Sequence, residues 1–197
     1  LMEQYTDEDG DIELAEAIGA LAEKAQAHLA AHLAALAEVP MTTRVHAFTL
    51  KSGELRNELA SKHERMYDLL LEKLIELTRI QAEKVRGQYT AIVQRLDVLP
   101  ETIEELTELE DYMESTTDLL KTLDVLSQSV SSNFAVVDSF SHMLETSECV
   151  LRLDILAGPK NVKDKIALIE LANDALRISF SNKQNEAQEE FAEHLKG

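Results

Sequence analysis

Apolar residues recur every three or four positions through most of this chain, the period of an amphipathic helix. From Ile12 to Glu38 the series is Leu14, Ile18, Leu21, Ala25, Leu29, Leu33 and Leu36, with alanine filling much of the rest, which predicts one helix of strong intrinsic propensity. Between Val39 and Gly53 the period changes. Pro40, the β-branched residues and an alternation through Val45, Ala47, Phe48 and Leu50 predict a connector with room for a short extended piece, and a boundary between subdomains. A second stripe, Leu55, Leu59, Met66, Leu70, Leu74, Leu77, Val85, Tyr89, Ile92 and Leu96, predicts a helix from Glu54 to about Leu96, ~65 Å long at the usual rise per residue. Thr78, Gln81 and Gly87 interrupt that stripe, so bending or a change of partner helix is expected there.

The next stretch, Asp97 to Met113, reads DVLPETIEELTELEDYM. Pro100 lacks an N–H and its ring clashes one turn back, so a helix ends before it. Thr102 stands at an N-cap position with Glu105 three residues on. In that pair the hydroxyl takes the third amide and the carboxylate reaches back to the cap, so a helix restarts at once. Glu101, Glu104 and Glu105 crowd the positive end of its dipole. Its stripe, Leu106, Leu109, Met113, Leu119, Leu123, Leu126, Val130, Phe134, Val137, Phe140 and Leu144, predicts a helix from Ile103 to about Leu144. Glu145 to Lys160 reads as an irregular link ending in a Gly158-Pro159 stop. Asn161 then caps a last helix with Asp164 at the third position, striped by Val162, Ile166, Ile169, Leu176, Phe180, Ala187, Phe191 and Leu195.

The expected fold is therefore all-α, an elongated bundle of long amphipathic helices with breaks marked by Pro and Gly. It divides into an acidic, Ala-rich helix over 1–39, a connector over 40–53, and a helical bundle over 54–197. Three prolines and six glycines in 197 residues are too few for an all-β chain turning every dozen positions.

A net charge of −18 disfavours nucleic acid, since phosphate contact would add repulsion in place of counterion release, and it disfavours anionic membranes for the same reason. A protein partner, or a neighbouring part of the same chain, is expected instead. Cys149 stands alone, so no internal disulfide is possible, and a buried small residue is expected there. No run approaches the ~18 apolar residues of a membrane helix, and no basic leader precedes an apolar core. A soluble intracellular protein is expected, and the start at Leu1 suggests a piece cut from a longer chain.

The sequence carries no complete catalytic or metal-binding motif. Asp7, Asp9 and Asp11 have the spacing of the first calcium ligands of an EF-hand. However, Ile12 stands where that loop needs Gly, and Ile18 where it needs a bidentate Glu. His28 and His32 lie four apart but lack the Glu of a metalloprotease helix. No Glu stands three before any histidine, which removes the di-metal carboxylate pattern. No phosphate loop, paired cysteines or nucleophile elbow occurs. No catalytic site, cofactor or metal is expected. The residues expected to matter are packing and hinge residues: Pro100, Thr102, Glu105, Leu106, Leu109, Tyr112, Phe140, Gly158 and Pro159.

Three stretches, in order, resemble the tail of an axonemal dynein heavy chain just before its linker domain. They are LRNELASKHERMYDLLLEKL (Leu55 to Leu74) leading through QYTAIVQRL (Gln88 to Leu96), the Pro100 stretch itself, and AGPKNVKDKI (Ala157 to Ile166) followed by NEAQEEFAEHLKG (Asn185 to Gly197). The resemblance runs from about Val39 to Gly197. It departs where the family often has a Trp between the Gly and Pro of the last break, since Gly158 directly precedes Pro159 here. It implies a non-catalytic segment of a microtubule-motor ATPase in the cilium or flagellum axoneme. The implied partners are other heavy-chain tail segments, intermediate or light chains or docking proteins, and, through the whole complex, the doublet microtubule. A free-standing coiled-coil scaffold of the spectrin-like kind would use the same stripes. It would also predict internal repeats of fixed period, and none is present.

Overall fold

The computed structural model describes residues 8–194. Asp7 of the aspartate series and Leu195 of the last stripe lie outside them. The order of elements is α1 (Glu8–Glu38), β1 (Thr42–Val45), β2 (Phe48–Lys51), α2 (Gly53–Leu96), α3 (Ile103–Ser139) and α4 (Thr146–His194). The fold is an all-α helical bundle carrying one small hairpin.

Packing divides the chain into two units. The first joins Leu1–Gln81 with Ser129–Glu145, and the second joins Ala82–Gln128 with Thr146–Gly197. α2 and α3 contribute to both, α1 to the first alone and α4 to the second alone.

In the first unit α1 runs antiparallel to α2. The paired positions show it, His28 facing His63 and His32 facing Ala60 further back along α2. Ile18, Leu71, Leu74 and Val137 form the core, closed by Leu14, Leu21, Tyr67 and Phe140. The Tyr67 and Phe140 rings lie 6.0 Å apart and tilted, an edge-biased contact suited to aromatic quadrupoles. Thr78 and Gln81, expected to interrupt the α2 stripe, are instead buried within it. The Thr78 hydroxyl donates to its own helix at the Leu74 carbonyl, and Gln81 Oε1 accepts the Asn133 amide at 2.7 Å. The apolar period set the phase correctly; what it could not show is that the Thr78 hydroxyl and the Gln81 carbonyl oxygen find partners inside.

The connector over 39–53 does hold extended structure. β1 and β2 pair antiparallel with Val45 opposite Phe48 and Thr43 opposite Leu50. His46 turns the chain with a positive φ of 53°, a backbone region in which histidine is enriched among non-glycine residues. Ser52 ties the base, its N–H donating to Met41 O and its hydroxyl to Pro40 O. Val45, Phe48 and Leu50 share one face of the hairpin and are all exposed, Phe48 by 78%. Around this end Leu33, Leu36, Leu55, Leu59 and Met66 are also exposed, although the sequence period placed them in the buried stripe. Beside Leu33, it is the smaller Ala35 that is buried.

α3 ends at Ser139, five residues before the expected Leu144. Ser141 adopts φ 57°, and the N–H groups of Phe140 and Ser141 close back on Val137 O and Asp138 O, which tightens the last turn. α4 begins at Thr146, so the expected irregular link from Glu145 to Lys160 is helical from Thr146 onward. Cys149 lies on α4 and is exposed, not buried.

The buried amide pair gives a direct test. Asn133→Ala strands Gln81 Oε1 in the core, where Gln81 Nε2 already lacks a partner among the described residues, and should cost about 1–3 kcal/mol in urea unfolding. Replacing both by Leu removes both demands and should recover most of that loss. A double variant less stable than Asn133→Ala would contradict the account.

Candidate functional site

The expected packing and hinge residues gather in the second unit, apart from Phe140, which packs in the first. α2 ends at Leu96, and the chain turns through 97–102 before α3 begins. Thr102 Oγ1 accepts the Glu105 N–H at 3.2 Å, and the Glu105 carboxylate reaches back to the Glu101 N–H at 2.7 Å. The reciprocal cap therefore forms, with the carboxylate taking the amide one residue ahead of the cap. Leu106 points inward and is fully buried, while Leu109 and Tyr112 are half-buried on the side facing the end of α2. The Arg95 guanidinium lies over the Tyr112 ring, 4.1 Å from its centroid, a cation–π contact that fixes both side chains. Together Arg95, Val98, Pro100, Glu105, Glu108, Leu109 and Tyr112 line a pocket of about 250 Å³.

Gly158 and Pro159 do not stop a helix. Both sit inside α4, which continues from Thr146 to His194. Two features explain this. The residue before a proline is pushed out of helical conformation by a clash of the ring with its N–H and its Cβ, and glycine, which has no Cβ, removes the second part of that clash. The stripe Leu151, Ile155, Gly158 and Val162 is also buried at intervals of four, three and four, so one face stays buried on both sides of the proline. That burial offsets the missing hydrogen bond and the ring clash, which together cost about 3 kcal/mol in a helix interior. The unbroken interval was present in the sequence and was the signal that the proline rule overrode.

Gly158 serves a second purpose. A Cβ built on it would fall 2.5 Å from Cδ2 of Tyr89, so the Tyr89 ring of α2 lies flush on the α4 backbone. The Tyr89 hydroxyl exchanges a hydrogen bond with Ser127 of α3 at 2.9 Å. One side chain thus joins three helices. Polar pairs keep the same direction: Arg86 with Asp154, then Tyr89 on Gly158, then Asp97 with Lys165, so α2 and α4 run parallel. Arg177 reaches Glu110 of α3 at 2.5 Å. These ion pairs are exposed and contribute little stability; their value is in marking register.

The histidines singled out in sequence take structural positions. His28 Nδ1 shares a hydrogen bond with His63 Nδ1 at 2.9 Å, and His32 Nδ1 donates to the Ala60 carbonyl. Among the described residues no group of three or more His, Cys, Asp or Glu is arranged to hold a metal ion, and no helix is long and apolar enough to cross a membrane.

A helical bundle whose residues of interest are caps, close helix approaches and a corner pocket is the class that the geometry defines. No protein-family model matches the chain. Over 159 residues, 81% of the chain, it is 21% identical to dynein axonemal heavy chain 1 of Mus musculus, and it spans 4% of that protein's length. The chain is thus distantly similar to an axonemal dynein heavy chain.

Two measurements probe the junction of the three helices. Gly158→Ala forces a methyl into the Tyr89 ring and should cost about 1–3 kcal/mol on thermal or urea unfolding. Pairing it with Tyr89→Leu should restore part of the loss, and simple additivity would exclude the contact. Burial holds the Tyr89 phenol above its ordinary pKa of 10.0; the Asp124 charge adds to this, and the Ser127 hydrogen bond opposes it. The folded state therefore keeps this proton longer than the unfolded chain, so the contribution is complete below pH ~10 and is lost as pH rises through the folded value. Unfolding curves from pH 9 to 11.5 should fall less steeply for Tyr89→Phe than for the parent.

Proposed function

We propose that this chain is a non-catalytic structural segment of an axonemal dynein heavy-chain tail, lying just before the linker domain. The observation that supports the reading is the distant similarity itself, which extends over most of the chain, together with three family-like stretches in the family's order. The physical role is to connect. α2 and α3 each carry a stripe buried along much of its length, and such helices resist bending. The capped turn at Pro100 to Thr102 and the flush contact at Gly158 fix where and how successive helices meet. Leu106, Leu109, Tyr112 and Phe140 hold those angles.

In this reading the segment performs no reaction. The motor's ATP hydrolysis and microtubule binding belong to other parts of the longer chain, and the segment joins them to cargo attachment, intermediate or light chains and docking proteins on the doublet. Its place is the axoneme of a cilium or flagellum.

An antibody raised against the purified chain tests this. It should label axonemes and detect a polypeptide many times heavier than these 197 residues, whose downstream sequence contains a phosphate loop. A product confined to the cytoplasm at the mass of this chain alone would overturn the reading in favour of a free scaffold.

A further inference from the structure

The corner between α2 and α3 has the makings of a docking site. Val98 and Leu99 stand 66% and 80% exposed beside a pocket floored by Pro100, Leu109 and the Tyr112 ring. Its volume of about 250 Å³ is below the ~300–1,000 Å³ of small-molecule pockets. That space suits one large side chain from a partner rather than a metabolite. Apolar walls alone would not say which partner.

The rim does. Glu105 and Glu108 line it, Glu101 stands exposed just before α3, and the exposed face of α3 carries Glu104, Asp111 and Glu114. Lys121 is the one base between Glu101 and Asp124. Glu104 and Glu108 form no hydrogen bond or ion pair among the described residues, so their charge faces outward. Arg95, laid over the Tyr112 ring, forms one wall and offsets one of the two carboxylates that line the pocket, so with Glu104 alongside the corner keeps a net negative charge. The chain as a whole carries −18, which steers cations towards it from a distance.

We propose that this corner docks a basic protein segment that inserts one large apolar side chain between Val98, Pro100 and Leu109 while flanking Lys or Arg residues lie along Glu104 and Glu108. Docking depends on the corner's own chemistry and not on the motor reading above. The apolar anchor supplies affinity through burial and the charges supply orientation and encounter rate.

Fluorescence anisotropy on the complete chain tests it, with three short labelled peptides as probes. One is Lys-rich with a single central Phe, one has Ser in place of that Phe, and one has Glu in place of every Lys. The Phe probe should bind at least about tenfold more tightly than the Ser probe, as burial of an aromatic side chain requires. The Glu probe should not bind. Val98→Asp, and separately Glu104→Lys with Glu108→Lys, should each weaken the Phe probe by about tenfold. Glu16→Lys with Glu23→Lys makes the same charge change on an exposed face of α1 and should leave it nearly unchanged. All altered positions are exposed, and circular dichroism checks that each variant remains helical. Equal affinity for the Phe and Ser probes, an equal effect of the α1 variant, or no binding of the Phe probe would each overturn the proposal.

Discussion

The buried stripe of α2 from Leu71 to Leu96 is what the other helices answer to. α1 meets it through Ile18 against Leu71 and Leu74. α3 meets it through Val137 in the first unit and through Ser127 under Tyr89 in the second. α4 meets it through Gly158 on the Tyr89 ring. Each fully buried Leu, Ile or Val on such a stripe contributes about 1.5–3 kcal/mol, whereas the exposed ion pairs between the same helices contribute a fraction of that. Register is therefore set by shape and only marked by charge. With aromatics at 5% of the chain and no tryptophan, close approach depends on small residues and thin stripes, and this is why a single glycine can govern where α4 sits.

Much of this architecture was legible before any coordinates. The bounds expected for α2 differ from those found by one residue at its start, and the restart at Ile103 was readable from Pro100, Thr102 and Glu105 because capping is local chemistry. The second half of the α2 stripe, Val85, Tyr89, Ile92 and Leu96, is buried as its period required. The failures have a common cause. Periodicity gives the face a residue occupies, not whether that face finds a neighbour. Leu33, Leu55 and Leu59 keep the helical period and lie open, whereas Thr78 and Gln81 break it chemically and lie inside.

The corner at Pro100 was legible in part. Thr102, Glu105, Leu106, Leu109 and Tyr112 could be named from their own helix, since capping and the i, i+3 and i, i+4 relations fix them. Arg95 and Val98 could not, because they arrive from the end of α2, and the geometry of the turn over 97–102 is what brings them opposite α3. At Gly158 and Pro159 the expected stop does not occur, and the helix runs through both. A proline rule states a cost, and a cost alone cannot predict a break when Leu151, Ile155 and Val162 regain it on either side.

The same contrast between phase and partnership bears on what the exposed surface means. A two-stranded hairpin is marginal by itself in water, yet β1 and β2 hold their register with Val45, Phe48 and Leu50 on an uncovered face. Ser52 and the two flanking helices supply the closure that the strands lack, since they fix both ends of the connector and reduce the entropy lost when it folds. The hairpin can thus keep its shape while contributing almost nothing to the core. At the α2–α3 corner a cap and a cation–π contact do the same work, holding Val98 and Leu109 in place around a space that no side chain of this unit fills. In both places the backbone is ordered by polar and cationic contacts, which leaves apolar surface outside the buried stripes. Order in these two places thus comes from local polar chemistry, whereas the rest of the fold is ordered by the burial of its stripes.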